Sequence, residues 1–109
     1  MNDIFTIKTI PLTQDIGMAL KNFRIENKVT AKSITEKFGK ASSYISKLEK
    51  GDIKKIDSNF LIQLCNYITK SDDGLGIFLS KLSQSYRNFT GESKIIIMNI
   101  DDLLYEHQV

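Results

Sequence analysis

Between residues 30 and 55 the chain carries seven lysines against three acidic residues, interleaved with short hydroxyl side chains and one tyrosine. That set breaks no bonds. Its chemistry is the holding of phosphate: ammonium groups neutralise the charge, hydroxyls add hydrogen bonds, and an aromatic ring supplies a flat contact. The charge is unevenly spread. Residues 1–70 hold 12 Lys/Arg against 7 Asp/Glu, a net of +5, whereas residues 71–109 hold 3 against 6, a net of −3. Such an asymmetry suits a chain whose one half meets a polyanion while the other half does something else.

Bond-making chemistry finds no support. The single cysteine, Cys65, shares an apolar stripe with Leu61 and Ile68 and reads as core. The only histidine, His107, lies in the terminal tail without Cys or His neighbours, so neither a metal site nor a cofactor is expected. Asp72–Asp73 and Asp101–Asp102 are adjacent in sequence and point apart in regular structure, which suits capping or solvation rather than acid–base work. Gly74-Leu75-Gly76 is a turn without a phosphate-loop signature. The chain is expected not to be an enzyme.

The elements that must position the lysines follow from periodicity and punctuation. The stretch Ile4–Ile10 is β-branched and aromatic and predicts a short strand, set off by the only proline, Pro11. Thr13 can cap a first helix to about Asn27, with Ile16, Leu20 and Phe23 on one face. Thr30 can cap a second helix carrying Ile34 and Phe38 and ended by Gly39. A few residues later a third helix buries Ile45 and Leu48 and ends at Gly51. The loop Asp52–Ile56 leads to Asp57 or Ser58 as the cap of a fourth helix with Leu61, Leu64, Cys65 and Ile68 inward. The turn formers Ser71–Gly76 make the clearest break, and a fifth helix spans Leu75–Phe89. Thr90–Ser93 is a second break. The run Lys94–Ile100, apolar at nearly every position, predicts a C-terminal strand that is covered on both faces or paired across a subunit boundary, with the N-terminal strand as its partner within or between subunits. The last nine residues fit a short helix or a tail.

Residues 16–68, about half of the chain, resemble the phage repressor and Cro-type (Xre-like) helix-turn-helix DNA-binding family. The resemblance rests on Arg24 in the first helix, Thr30 capping the second, Ile34 and the turn glycine Gly39, and the run Ser43–Gly51 in the third. With the elements read on either side of it, the fold expected is mainly α, a five-helix repressor-like helix-turn-helix domain with a short N-terminal strand and a C-terminal strand. The resemblance implies that the third helix enters the major groove of double-stranded DNA. It also implies a structural ion pair, Arg24–Glu49, between the first and third helices. The outward positions are Ser42, Ser43, Tyr44, Ser46, Lys47 and Lys50, of which Ser42, Ser43, Tyr44, Lys47 and Lys50 are expected to contact DNA. Thr30, Lys32, Lys40, Lys54 and Lys55 are expected to flank them on phosphates. Relatives often carry amides at the starts of the second and third helices. Here Ala31, Ser42 and Ser43 stand there, which shifts base readout toward Tyr44 and Lys47. Tyr44 also has a packing reading, over Ile34 or Lys47. Ala41 replaces the usual capping hydroxyl, so Ser42 is expected to cap the third helix.

The division expected is an N-terminal arm at 1–12, a DNA-binding domain at 13–70 and a dimerisation or partner-binding extension at 71–109. No apolar run reaches the roughly 20 residues that cross a bilayer, and Asp3 stands where a signal peptide needs positive charge. No membrane association and a cytoplasmic location are therefore expected, the single cysteine agreeing with a reducing compartment. The function expected is that of a sequence-specific regulator, a homodimeric repressor on near-palindromic sites. The alternatives are an antitoxin-like module whose acidic C-terminal segment binds a protein partner, or the DNA-binding part of a longer regulator.

Overall fold

The computed structural model describes the backbone of residues 9–108 and the side chains of residues 9–102. The order is β1 (Thr9–Pro11), α1 (Gln14–Glu26), α2 (Ala31–Phe38), α3 (Tyr44–Lys50), β2 (Lys55–Asp57), α4 (Ser58–Thr69), α5 (Gly74–Gln84), a 3₁₀ turn at Tyr86–Asn88, and α6 (Gly91–Gln108). The fold is mainly helical with one small two-stranded sheet.

The caps form where short polar side chains precede apolar periodicity. Thr13 Oγ1 accepts from the Ile16 N–H at 3.3 Å, and Thr30 Oγ1 from the Ser33 N–H at 3.0 Å. Of the two candidates for α4, Asp57 makes the cap, accepting from the Asn59 N–H at 3.3 Å. Each bond satisfies one of the N–H groups that a helix start leaves without an intrahelical partner. α2 and α3 end on Gly39 (φ 67°) and Gly51 (φ 84°), both left-handed. The apolar stripes of all the helices meet in one core that extends from Ile10 to Ile100, with Phe23 of α1 and Phe78 of α5 at its centre, ring centroids 5.0 Å apart.

The C-terminal region overturns the expectation of a strand. Lys94–Ile100 lies inside α6, and the chain stays helical to Gln108. Ser93, Ile96, Ile97 and Ile100 are buried, a helical spacing, while Ile95 is 63% and Met98 60% exposed. A run apolar on both faces carries no readable period, and β-branched isoleucines tilt such a run toward strand in isolation. The break at Thr90–Ser93 proves to be the start of this helix: the Thr90 side chain accepts from the Ser93 N–H at 3.2 Å. There are thus six α-helices among the described residues, not five, and no C-terminal strand there.

β1 consequently pairs elsewhere. It runs antiparallel to β2 with Ile10 opposite Ile56, and the Leu12 N–H extends the ladder to Lys54 O at 2.7 Å. Part of the expected loop Asp52–Ile56 is therefore strand. Of the predicted strand Ile4–Ile10, residues 4–8 lie outside the described residues. α5 stops at Gln84, five residues short of the expected Phe89, and continues as the 3₁₀ turn.

α6 is tied to the start of α1 by a polar cluster. Asp15 Oδ2 accepts from the Thr90 N–H and the Ser93 hydroxyl, each at 3.0 Å, and Thr13 Oγ1 lies 2.7 Å from Ser93 Oγ. The Thr90 N–H holds the Asp15 carboxyl below its ordinary value, the two hydroxyls add to that, and desolvation opposes it. A lowered folded pKa means stability that is complete above the unfolded value, about 3.9, and is lost as pH falls through the folded value. Hydrogen exchange followed by NMR should therefore show α6 amides losing protection before those of α1 as pH drops below about 4. Asp15→Asn should weaken α6 protection already at neutral pH and flatten that dependence. An unchanged α6 profile in the variant would exclude the tether.

Candidate nucleic-acid interface

α3 is only seven residues long and could not stand by itself in water. Its inner face is Ile45 and Leu48, both 1% exposed, with Glu49 at 7%. Glu49 is held by Arg24 of α1 in a two-pronged pair: Nε donates to Oε2 at 2.7 Å and Nη2 to Oε1 at 3.1 Å. The third arm of the guanidinium, Nη1, donates to the Val29 carbonyl at 3.0 Å, just ahead of α2. One side chain therefore joins α1, the entry to α2, and α3. The expected ion pair is present. The Val29 contact was beyond sequence reasoning, since any carbonyl can accept.

α1 also meets α3 at close range through Gly17. A Cβ built there would lie 2.7 Å from Leu48 O and 2.8 Å from Glu49 O, backbone atoms that cannot rotate away. Glycine at this position is what lets the two helices approach closely enough for Ile45 and Leu48 to seat.

The outer face of α3 presents Ser46, Lys47 and Lys50, all exposed. Ser42 and Ser43 are exposed in the connection from α2. The expected Ser42 cap does not form. Ser43 occupies the cap position with helical backbone (φ −91°, ψ −3°), and its side chain makes no capping hydrogen bond. An extended backbone would be needed to aim that hydroxyl at the first-turn N–H groups. Instead the Tyr44 N–H donates to Ala41 O at 2.9 Å, and the Ser46 hydroxyl donates to Ser43 O at 3.1 Å.

Tyr44 is half-buried against the core, and its ring contacts lie on α4 and Lys40. Its ring meets Phe60 of α4 edge-on, with centroids 5.9 Å apart, and Lys40 Nζ lies 5.1 Å from its centroid. Lys40 Nζ also lies 4.6 Å over the Phe60 ring, so this ammonium rests on an aromatic shelf. Burial, with the Asp57 carboxylate, raises the Tyr44 hydroxyl above its ordinary value, so it remains a neutral donor near pH 7. Phe60 is the residue that the sequence reading missed. It falls four before Leu64 and eight before Ile68, a spacing that belongs to the α4 stripe.

The flanking positions differ among themselves. Thr30 is used as a cap, its oxygen accepting from Ser33, and Lys32 is exposed in the first turn of α2. Lys54 Nζ donates to Gly51 O at 2.9 Å, closing the C-terminal end of α3. Lys55 is exposed at the start of β2. Hence Lys32, Lys47, Lys50 and Lys55 present exposed ammonium groups. Lys40 and Lys54 are oriented by the fold, and each keeps donors for a further acceptor.

Removing one member of the Arg24–Glu49 pair strands a charge that is largely out of water. Arg24→Ala or Glu49→Ala should lower unfolding stability by about 3–5 kcal/mol, whereas an apolar pair, Arg24→Met with Glu49→Leu, should cost far less. Gly17→Ala should cost about 1–3 kcal/mol by overpacking. Urea denaturation of the four variants checks the order, and a Glu49→Ala as stable as wild type would contradict the role of the pair. Comparison of the chain with protein-family models, with curated proteins and with solved structures finds no match in any of the three.

Proposed function

We propose that the chain is a sequence-specific DNA-binding regulator, a dimeric repressor that uses α2, its turn and α3 as a helix-turn-helix. The observation that carries this reading is α3 itself. A short helix is clamped on its inner face by Ile45, Leu48 and the Arg24–Glu49 pair, while its outer face carries only Ser46 and lysines. A core helix needs no such cationic exterior, and a helix that reads a groove must be rigid behind and polar in front.

On this reading Lys47 and Tyr44 touch base edges, the first as a donor to guanine and the second through its neutral hydroxyl. Ser42 and Ser43 add short hydrogen bonds, and Lys50 follows the groove wall. Thr30, Lys32, Lys40, Lys54 and Lys55 hold phosphates on either side. Lys54 is suited to this because its Gly51 contact fixes its direction. Serines discriminate weakly between bases, so sequence-dependent DNA shape is expected to contribute.

A single such unit covers few base pairs, and two-fold pairing supplies the rest, with half-sites about 34 Å apart. Ile95 and Met98 on α6 favour that helix as the contact, since both are exposed, apolar and one turn apart. The same surface, on a segment of net negative charge, would serve an antitoxin-like protein partner instead.

Selection from a random DNA pool, followed by titration at several salt concentrations, tests the reading. Lys55→Ala should weaken binding to all sequences and lower the salt slope by about one unit. Lys47→Ala should instead relax one position of the selected site, at about 1–3 kcal/mol. Absence of any enriched sequence, with salt-independent binding, would reject the proposal. Sedimentation should give a dimer that Met98→Asp weakens; a monomer at high micromolar concentration would reject the two-fold arrangement.

A further inference from the structure

A cleft of about 590 Å³ opens between the end of α2 and the end of α4, lined by residues of those two helices and of the turn after α4. Its volume lies within the range of small-molecule sites. The apolar walls are the rings of Phe38 and Tyr67, which meet edge-on at 5.7 Å. Lys37 and Lys70, both exposed, also line it, and neither is in an ion pair among the described residues. Lys70 is there because it ends α4 in the left-handed conformation (φ 56°), where glycine would be cheaper. Amide groups come from Gln63 and Asn66. The oxygen of Asn66 already accepts from the Gly74 N–H at 2.9 Å, which orients its NH₂ as the remaining donor. Asp72 is the one acidic lining residue, so the lining keeps a net positive charge.

We propose that this cleft binds a small aromatic carboxylate, ring against Phe38 and Tyr67 and carboxylate toward Lys37 and Lys70. A planar apolar body can lie on one ring and meet the edge of the other, and the lysines with the amide donors select an anionic end.

The cleft is wired to α3. Phe38 stands edge-on to Phe60 at 5.2 Å, and Phe60 in turn to Tyr44, the first residue of α3, at 5.9 Å. Tyr67, Phe38, Phe60 and Tyr44 thus form an unbroken aromatic row from the cleft to the proposed DNA-reading helix. A ligand that displaces Phe38 shifts Phe60 and re-aims Tyr44, because close-packed rings move together. This regulatory consequence, though not the site itself, rests on the DNA-binding reading above.

The test is an amide and aromatic NMR titration of the full chain with 1-naphthoate, its uncharged counterpart 1-naphthamide serving as the control. Saturable shifts are expected at Phe38, Gln63, Asn66, Tyr67 and Lys70, with a weaker response at Tyr44. The carboxylate should bind about fivefold tighter than the amide, and Lys37→Gln with Lys70→Asn should remove that preference. Both substitutions are at exposed positions, and asparagine tolerates the left-handed backbone. Phe60→Leu should leave the cleft shifts in place and abolish the Tyr44 response. Equal binding of the two compounds, shifts clustered elsewhere, or no saturation at millimolar concentration would overturn the site. A Tyr44 response that survives Phe60→Leu would overturn the aromatic row. The titrations contain no DNA, so their failure rejects the cleft alone and is distinguishable from failure of the DNA-binding reading.

Discussion

The guanidinium of Arg24 is the point on which the first three helices depend. Its two bonds to Glu49 and one to the Val29 carbonyl use all three of its nitrogens and satisfy a largely buried charge. Without it, the inner face of α3 would keep only Ile45 and Leu48 as its buried side-chain contacts, and the entry to α2 would lose its anchor. Replacing the pair with apolar residues need not cost stability, because desolvating two charges offsets much of what their attraction returns. What the ionic version adds is direction: a bidentate fork accepts one orientation of α3, whereas Leu48 and Ile45 alone would tolerate several.

Around that frame, lysines act in two ways. Lys54 satisfies the carbonyl at the end of α3, and Lys40 covers the rings of Phe60 and Tyr44. Both are structural contacts made by side chains that composition alone counts as surface charge. Lys47 and Lys50 make no such contact among the described residues, and their exposure on a rigid helix is what gives the region its cationic face. The same aromatic cluster that shelters Lys40 makes one continuous body of α2, α4 and the start of α3. Tyr44 is therefore held from behind rather than free to sweep through solvent.

The C-terminal helix is fastened differently. Asp15, Thr13, Thr90 and Ser93 join its start to the start of α1 across some 75 residues of sequence. Ser93 is fully buried yet satisfied, so the junction costs no unpaired polar group. This polar knot and the apolar packing of Ile96, Ile97 and Ile100 together leave Ile95 and Met98 outside, the most exposed large apolar side chains of α6 that the structure describes.

Periodicity and punctuation in the chain determined α1 to α4 nearly to the residue, because Thr13, Thr30, Asp57, Gly39 and Gly51 act through bonds or torsions within a few residues of themselves. The charge division and the Arg24–Glu49 pair were legible on the same footing, the pair through its resemblance to a known arrangement. Tertiary structure decided what depends on distant atoms. Lys94–Ile100 is apolar on every side and carries no period, so only its packing on α5 and its tie to Asp15 made it a helix. β1 found Lys55–Asp57 instead, since α6 offers no free edge. Tyr44 went to Phe60, Lys54 to Gly51 and Ser43 to no cap at all. In each case the partner was selected by the close approach of elements, and a sequence records the donors without recording which acceptor will be nearest.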